Sequence, residues 1–413
     1  MKLKHLYIAL GLSLLLTSCK DDEPVPVSSS SETVVSFNLA LSSESQGTRA
    51  VGDVTDKDGN ENWQNGADPE ATEFDNRINS MKVVLYAVAG NTLNTDNPLG
   101  EMEVDPSSYT DDKDGSITVK GKLKTNIPAS LLADPKTSYR LAVFINAPVT
   151  GTYGLDIKKP SQCVFNFHGT SEQFQGIPMY GVAKCYFTGL TNAEGTETSP
   201  FVIKGSSDGS SDLSIPVLRS MAKIKVRVHN DLYETVANGG REVRLKSIKI
   251  NRHANRGFLV PKGWNTVDNF LSVNLKSVMN GFIGSDNYTD KECSYDAPET
   301  NPAESWKNSD QKLRFYIPDT FNCEHDGYDS EPIKLTLEYY TDGDYSDVRT
   351  DDIFLCRYTD DGKHDVNDAN HQIWDIIRNH IYEFVIEGVE ASFDLKVGVS
   401  VKKWEYEVIQ TEL

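Results

Sequence analysis

Short runs rich in Val, Ile, Tyr and Phe, apolar at every second position, recur along this chain between clusters of Gly, Pro, Ser, Asn and Asp. A period of two puts one face of a strand on a core and the other in water, whereas a helix needs a period of 3.6. Breaks are frequent, with 29 Gly and 17 Pro in 413 residues, so elements stay short and the chain reads as mainly β. A chain of this length suits two domains rather than one. The first strand candidate spans 35–41, where Val35, Phe37, Leu39 and Leu41 alternate with Ser36, Asn38 and Ala40. Others fall at 81–88, 116–122, 139–146 and 182–187, then at 222–228, 243–250, 312–317, 333–340, 381–386 and 393–408. Short helices are expected near 270–279 and 372–378. Between the two groups lies Gly205-Ser206-Ser207-Asp208-Gly209-Ser210-Ser211-Asp212, which has the composition of a flexible linker. It divides a domain at 50–212 from one at 213–413.

Lys and Arg total 41 against 61 Asp and Glu, a net charge of -20. Nucleic acid and anionic lipid headgroups repel such a surface, which excludes a nucleic-acid role. At the N-terminus, Lys2 and Lys4 precede an apolar run over 6–16 that is too short to span a bilayer and has the layout of a signal peptide. The run ends in Leu16-Thr17-Ser18-Cys19, which resembles the lipobox of bacterial lipoproteins. That resemblance implies a lipoprotein signal peptide at 1–19 that ends at the lipobox cysteine, with cleavage leaving Cys19 as the first residue and acylation of its thiol anchoring the chain to the outer membrane. Two or more acyl chains, each contributing about 0.8 kcal/mol per buried CH₂, make a firm anchor. The following Lys20-Asp21-Asp22-Glu23 is similar to the acidic signal that sends such lipoproteins to the cell surface; the plainer reading is a solvated charge run. Residues 20–49 then form a Pro- and Ser-rich tether, the strand 35–41, and a small polar stretch ending in Thr48-Arg49, just before Ala50, that suits proteolytic nicking.

No motif carries catalytic chemistry. Gly205-Ser206-Ser207-Asp208-Gly209 matches a nucleophile elbow in letters only, since the elbow needs a buried strand before it and a helix after it. Asp56-Lys57-Asp58-Gly59-Asn60-Glu61-Asn62 alternates oxygen ligands, but its Gly is misplaced for an EF-hand loop and the bidentate Glu is missing. His364, His371 and His380 lie among Asp360, Asp361, Asp365 and Asp368 with a spacing that fits no ligand template. The expectation is therefore no enzyme, no metal and no cofactor. Beyond Cys19 the cysteines are Cys163, Cys185, Cys293, Cys323 and Cys356, odd in number and without CxxC spacing, which argues against a zinc ribbon or a complete disulfide framework; one or two bridges are compatible with an exported chain, and most of the five read as buried small hydrophobes.

The C-terminus holds an irregularity. Val397, Val399 and Val401 alternate on odd positions, then Trp404, Tyr406 and Val408 on even ones, so the inward phase flips across Lys402-Lys403. Either a bulge bridges one long strand, or two successive strands serve two surfaces.

Together these features resemble the fimbrillin family of Bacteroidetes, the type V pilins. Ile177-Pro178-Met179-Tyr180-Gly181 resembles a motif near the end of that family's first domain, and Arg219-Ser220-Met221-Ala222-Lys223-Ile224 the strand that opens its second. Tyr316-Ile317-Pro318-Asp319, Ile377-Arg378-Asn379-His380-Ile381-Tyr382 and Val401-Lys402-Lys403-Trp404 are similar to three further elements, in family order. The resemblance implies two transthyretin-like β-sandwiches in tandem behind a lipoprotein signal peptide and a leader strand. It also implies cleavage between Arg49 and Ala50 by an arginine-specific protease. Removal of the leader strand (Val35, Phe37, Leu39, Leu41) would open a groove for a donor strand (Val399, Val401, Trp404, Tyr406, Val408) of another subunit. The expected partners are further copies or related fimbrial subunits, and host or bacterial surface ligands; the expected role is adhesion or biofilm formation. The alternatives are an uncleaved anchor or accessory subunit, and a monomeric glycan-binding surface lipoprotein using Trp63, Trp264 or Trp306 as a stacking platform.

Overall fold

The structure, a computed structural model, describes residues 31–40, 77–89, 92–104, 109–111, 116–125, 127, 132–148, 154–166, 176–191, 194–228, 243–267, 273, 279, 288–289, 293–296, 312–320, 333–342, 344–355, 375–389 and 395–403. The fold is mainly β. Its first lobe comprises β1 (Ser31–Ala40), β2 (Met81–Ala89), β3 (Thr92–Val104), β4 (Tyr109–Asp111), β5 (Ser116–Thr125), β6 (Tyr139–Ile145), β7 (Val164–Asn166), β8 (Met179–Cys185), β9 (Phe201–Val202) and β10 (Ser214–Arg219). The second comprises β11 (Met221–Val228), β12 (Val243–Ile250), β13 (His253–Ala254), β14 (Arg256–Phe258), β15 (Tyr288–Thr289), β16 (Cys293–Asp296), β17 (Lys312–Pro318), β18 (Lys334–Thr341), β19 (Asp344–Phe354), β20 (His380–Val389) and β21 (Leu395–Lys403).

Nine strands of the first lobe form one sheet in the order β4-β5-β3-β2-β6-β8-β10-β1-β9, and a further β1–β5 pairing closes it on itself. Closure removes most of the edge that an open sheet would leave for other chains. β6 reads Tyr-Arg-Leu-Ala-Val-Phe-Ile without polar alternation because both of its faces are covered. Tyr139, Leu141, Val143 and Ile145 point into the enclosed core, while Ala142 and Phe144 join a second cluster outside it with Val84, Tyr86, Tyr180, Cys163, Leu259, Val260 and Trp264. In the second lobe two four-stranded sheets, β17-β11-β20-β21 and β16-β12-β18-β19, contribute their apolar faces to a shared core. Ile224, Val226, Phe384 and Ile386 come from one sheet, Ile248, Ile250, Leu335 and Leu337 from the other.

The sheets change hands later than residue 212. β10 pairs with β8 and with β1, so the chain leaves the first lobe at Ser220. The Gly- and Ser-rich stretch before it is a hairpin loop rather than a linker. Lys204 bridges Asp212, with its ammonium 2.7 Å from the Asp212 carboxylate, and Gly205 N–H donates to Ser211 O. Ser, Gly and Asp serve tight turns as readily as disordered links, so composition alone does not separate the two. Of the region expected to be helical at 372–378, residues 375–378 are not helix: Ile376 pairs with Thr320 instead.

Four of the quoted motifs meet where the lobes join. Met179 is the register partner of Arg219, and Ser220 N–H donates to Pro178 O. The Ser220 hydroxyl donates to Leu259 O at 2.6 Å. Asn379, at φ +56°, accepts Arg219 N–H on its side chain and donates its own N–H to Met221 O. Arg378, 0% exposed, is paired with Asp319 through Nε and Nη2 at 2.7 Å each, and also donates to Leu259 O and Phe258 O. Next to this clasp β14 pairs with β7, and Leu259 N–H donates to Cys163 O, so a segment of the second lobe is hydrogen-bonded into the first.

Candidate functional site

β1 connects to β2 only through residues 41–80, yet it sits in the wall of the first lobe with every described residue paired. Along one edge its ten residues run antiparallel to β5, from Ser31 opposite Thr125 to Ala40 opposite Ser116. Along the other edge it is held by three successive pieces. Val34 N–H donates to Gly195 O, Val35 and Ser36 pair with β9, and Asn38 to Ala40 pair with β10. Val35, Phe37 and Leu39 face inward and are buried in the core with Val119, Ile117 and Ile215. Three such side chains contribute about 5–9 kcal/mol of apolar burial.

The outward face of the same strand is covered by charge. Opposite Glu32, Val34 and Ser36, β5 carries Lys124, Lys122 and Lys120 at alternate positions. Lys124 lies 3.6 Å from Glu32. Lys122 lies 2.9 Å from the Glu197 carboxylate, and the Lys120 ammonium donates to the Glu197 carbonyl at 2.8 Å. Glu197 belongs to the turn that runs along the opposite edge of β1, the turn whose Gly195 takes the Val34 bond. Its reach to β5 therefore passes over the outside of β1 as a strap. Val34, although paired with Lys122 on the outward side, is only 6% exposed, as a residue under such a strap should be. Gly195 sits at φ +77° with the Thr33 methyl where a Cβ would go, so the turn needs glycine there. The Lys122 ammonium holds the Glu197 carboxyl below the usual glutamate range, and Glu197 raises Lys122 in return.

At the other end of the chain, β21 is the outer strand of its sheet and pairs with β20 alone among the described residues. Val401 lies opposite Tyr382, Val399 opposite Phe384, and Val397 is buried in the core. The described strand ends at Lys403, where the alternation in the sequence changes phase. Cys19, Leu41, Arg49, Ala50, Trp404, Tyr406 and Val408 lie outside the described residues.

Of the motifs set aside on sequence grounds, the described residues include the 205–212 turn and His380. The Ser206 hydroxyl, followed by the N–H and Oγ–H that Asp208 accepts from Ser210, holds the Asp208 carboxyl down at about 2, and the Ser210 bonds close the turn around Ser207. His380 Nδ1 rests 3.0 Å from Arg378 O, while His364, His371 and residues 56–62 lie outside the described residues. Among the described residues, no group of three or more His, Cys, Asp or Glu is placed to hold a metal ion, and no helix is long and apolar enough to cross a membrane. Trp264 is no stacking platform: it is buried edge-on against Tyr86 and Tyr180, and Tyr180 donates to its carbonyl. Trp63 and Trp306 lie outside the described residues. Cys163 and Cys185 are buried thiols, and burial pushes Cys163 up to about 12.

The strap was not legible in the sequence. Alternating Lys120, Lys122 and Lys124 in a strand candidate signalled a charged outer face, but nothing marked Glu197 as their partner.

No family model matches the chain, and no curated protein matches it. Among solved structures it is similar to the tip fimbrial protein Mfa3 of Porphyromonas gingivalis in a C-terminally truncated form, at 13% identity over 91% of this chain and 100% of that one, with a TM-score of 0.48. Similarity to a fimbrial assembly protein of Parabacteroides distasonis covers 91% of this chain and 100% of the other at 10% identity and a TM-score of 0.44. A fimbrilin of Porphyromonas gingivalis aligns over 90% of this chain and 97% of its own at 14% identity, with a TM-score of 0.42.

Proposed function

We propose that this chain is a structural subunit of a cell-surface fimbrium, matured by proteolysis and polymerised head to tail by strand exchange. The observation that carries the reading is β1 itself. A strand contributed from the far N-terminus, joined to the rest only through residues 41–80, completes the wall of the first lobe and covers its core. Anchored through Cys19 to outer-membrane lipid, the precursor keeps this groove filled and stays monomeric. Cleavage after Arg49 by an arginine-specific protease severs β1 from the lobe it fills, and the severed strand leaves.

The vacated groove offers unpaired backbone along β5, β9 and β10 and the apolar sites of Val35, Phe37 and Leu39. An incoming strand gains main-chain hydrogen bonds there, while its alternate side chains set the register. The C-terminal strand of a second copy is the donor, with Val399, Val401, Trp404, Tyr406 and Val408 as its apolar face. Because Val399 and Val401 are paired with β20 within the chain, a donor that includes them peels β21 away first, whereas one that begins at Trp404 leaves β21 in place. Donor and acceptor are different surfaces, so the contact repeats into a filament. The role of the product is attachment to host or bacterial surfaces.

Truncation after Lys403 tests this directly. The expected result is a folded, cleavable monomer that does not extend and that caps chains of the full-length protein. Filament growth at the full-length rate would overturn the assignment of the donor.

A further inference from the structure

We infer that Glu197 is a latch on the β1 site: its bonds to Lys122 and Lys120, made across the outside of β1, must open before that strand leaves or another enters. The inference deepens the proposed function and rests on it for its purpose, but its geometry is independent of that reading. Two lines of observation converge. The Gly195 turn and the lysines of β5 flank β1 on opposite edges, so any bond between them spans the strand. The outward-facing Val34 is buried beneath that span. β1 is thereby enclosed on four sides: β5 on one edge, Gly195 with β9 and β10 on the other, the core inside and the Glu197 strap outside.

The strap is made of exposed charges, with the Lys122 and Glu197 side chains 53% and 62% accessible. Such pairs are weak and are screened by salt. That suits a latch, which has to open without unfolding the lobe. It also makes the effect readable, since opening the latch should change the mobility of β1 and leave the second lobe untouched.

The test uses hydrogen exchange on the full, uncut chain. In Glu197→Gln, at low salt, amides of Val34 to Asn38 should exchange about two to five times faster than in the parent, the range an exposed ion pair supports. Amides of β11 and β20 should not change. The difference should vanish at about 1 M salt, where the screening length falls to about 3 Å. The charge swap Glu197→Lys with Lys122→Glu should restore most of the protection. Unchanged exchange in β1 at low salt, or an equal rise in both lobes, would overturn the latch. Filament growth is followed in parallel on chain cleaved after Arg49. Faster β1 exchange without filaments from any variant supports the latch and sinks the strand-exchange reading. Filaments from all variants at one salt-independent rate, with β1 protection unchanged, sink the latch alone.

Discussion

Replacing Phe37 by Ala distinguishes a strand that temporarily fills a groove from one that belongs to the first lobe for good. Phe37 is 2% exposed, lies opposite Val119 and packs in the enclosed core. Truncating a buried Phe to Ala costs about 3–5 kcal/mol. For a urea m-value of about 2–3 kcal/mol/M, the uncut chain should lose about 1–2 M in its unfolding midpoint. Asn38→Ala is the control on the outward side of the same strand, where the loss is one hydrogen bond from the Thr118 hydroxyl at 3.0 Å, about 1 kcal/mol. The informative comparison follows processing. Once residues 1–49 have been cut away and the chain has polymerised, position 37 is gone and the Phe37→Ala filament should match the parent in urea. Two results would refute the reasoning: a shift below about 0.3 M in the uncut chain, less than this burial can explain, or a deficit carried undiminished into the filament.

Other consequences can be checked with the same material. Arg378→Met leaves the Asp319 carboxylate buried without its partner at the joint between the lobes and should cost about 3–5 kcal/mol in urea, with Arg378→Met/Asp319→Leu recovering much of it. Acid should loosen β1. The Glu197 carboxyl is held below its ordinary 4.5, so its contribution is present above that pH and lost as pH falls through the lowered value; the protection of the Val34 to Asn38 amides, taken relative to their intrinsic exchange rates at each pH, should fall there, and a flat protection profile would count against the latch. Cys163, buried with its thiol raised to about 12, should resist thiol reagents at neutral pH until denaturant is added, as peptide mapping by mass would show.

Much of the architecture was readable because its strands are half-buried. In β18 every second residue is buried, and in β12 the boundaries 243–250 coincide with the observed strand. β6 and β2 are legible for a different reason: both of their faces contribute to buried clusters, and apart from Arg140 and Lys82 they are apolar. Legibility failed where pairing rather than burial makes the strand. β19 carries Asp344, Asp347, Asp351 and Asp352 along an outer strand of its sheet, where solvent tolerates charge, and its pattern reads as a loop. In β3, Asn, Asp, Pro and Gly interrupt a strand whose register with β2 shifts twice. The 205–212 stretch misled in the opposite sense, since turn chemistry and linker composition coincide. Of the candidate site, the inward face of β1 was explicit in Val35, Phe37 and Leu39, whereas its strap depends on a contact between Glu197 and a strand distant in sequence. Likewise the motifs at 177–181, 219–224, 316–319 and 377–382 carried no evident reason until the Arg378–Asp319 clasp and the Ser220 crossing placed them at one joint.

The account turns on the fate of Cys19 and Arg49, and the most direct measurement is the intact mass and N-terminal sequence of the protein sheared from its native cells. It predicts a chain that starts at Ala50, carries no lipid and is recovered in a large polymer. An acylated chain that starts at Cys19 and is recovered as a monomer, with β1 still in its groove, would contradict it.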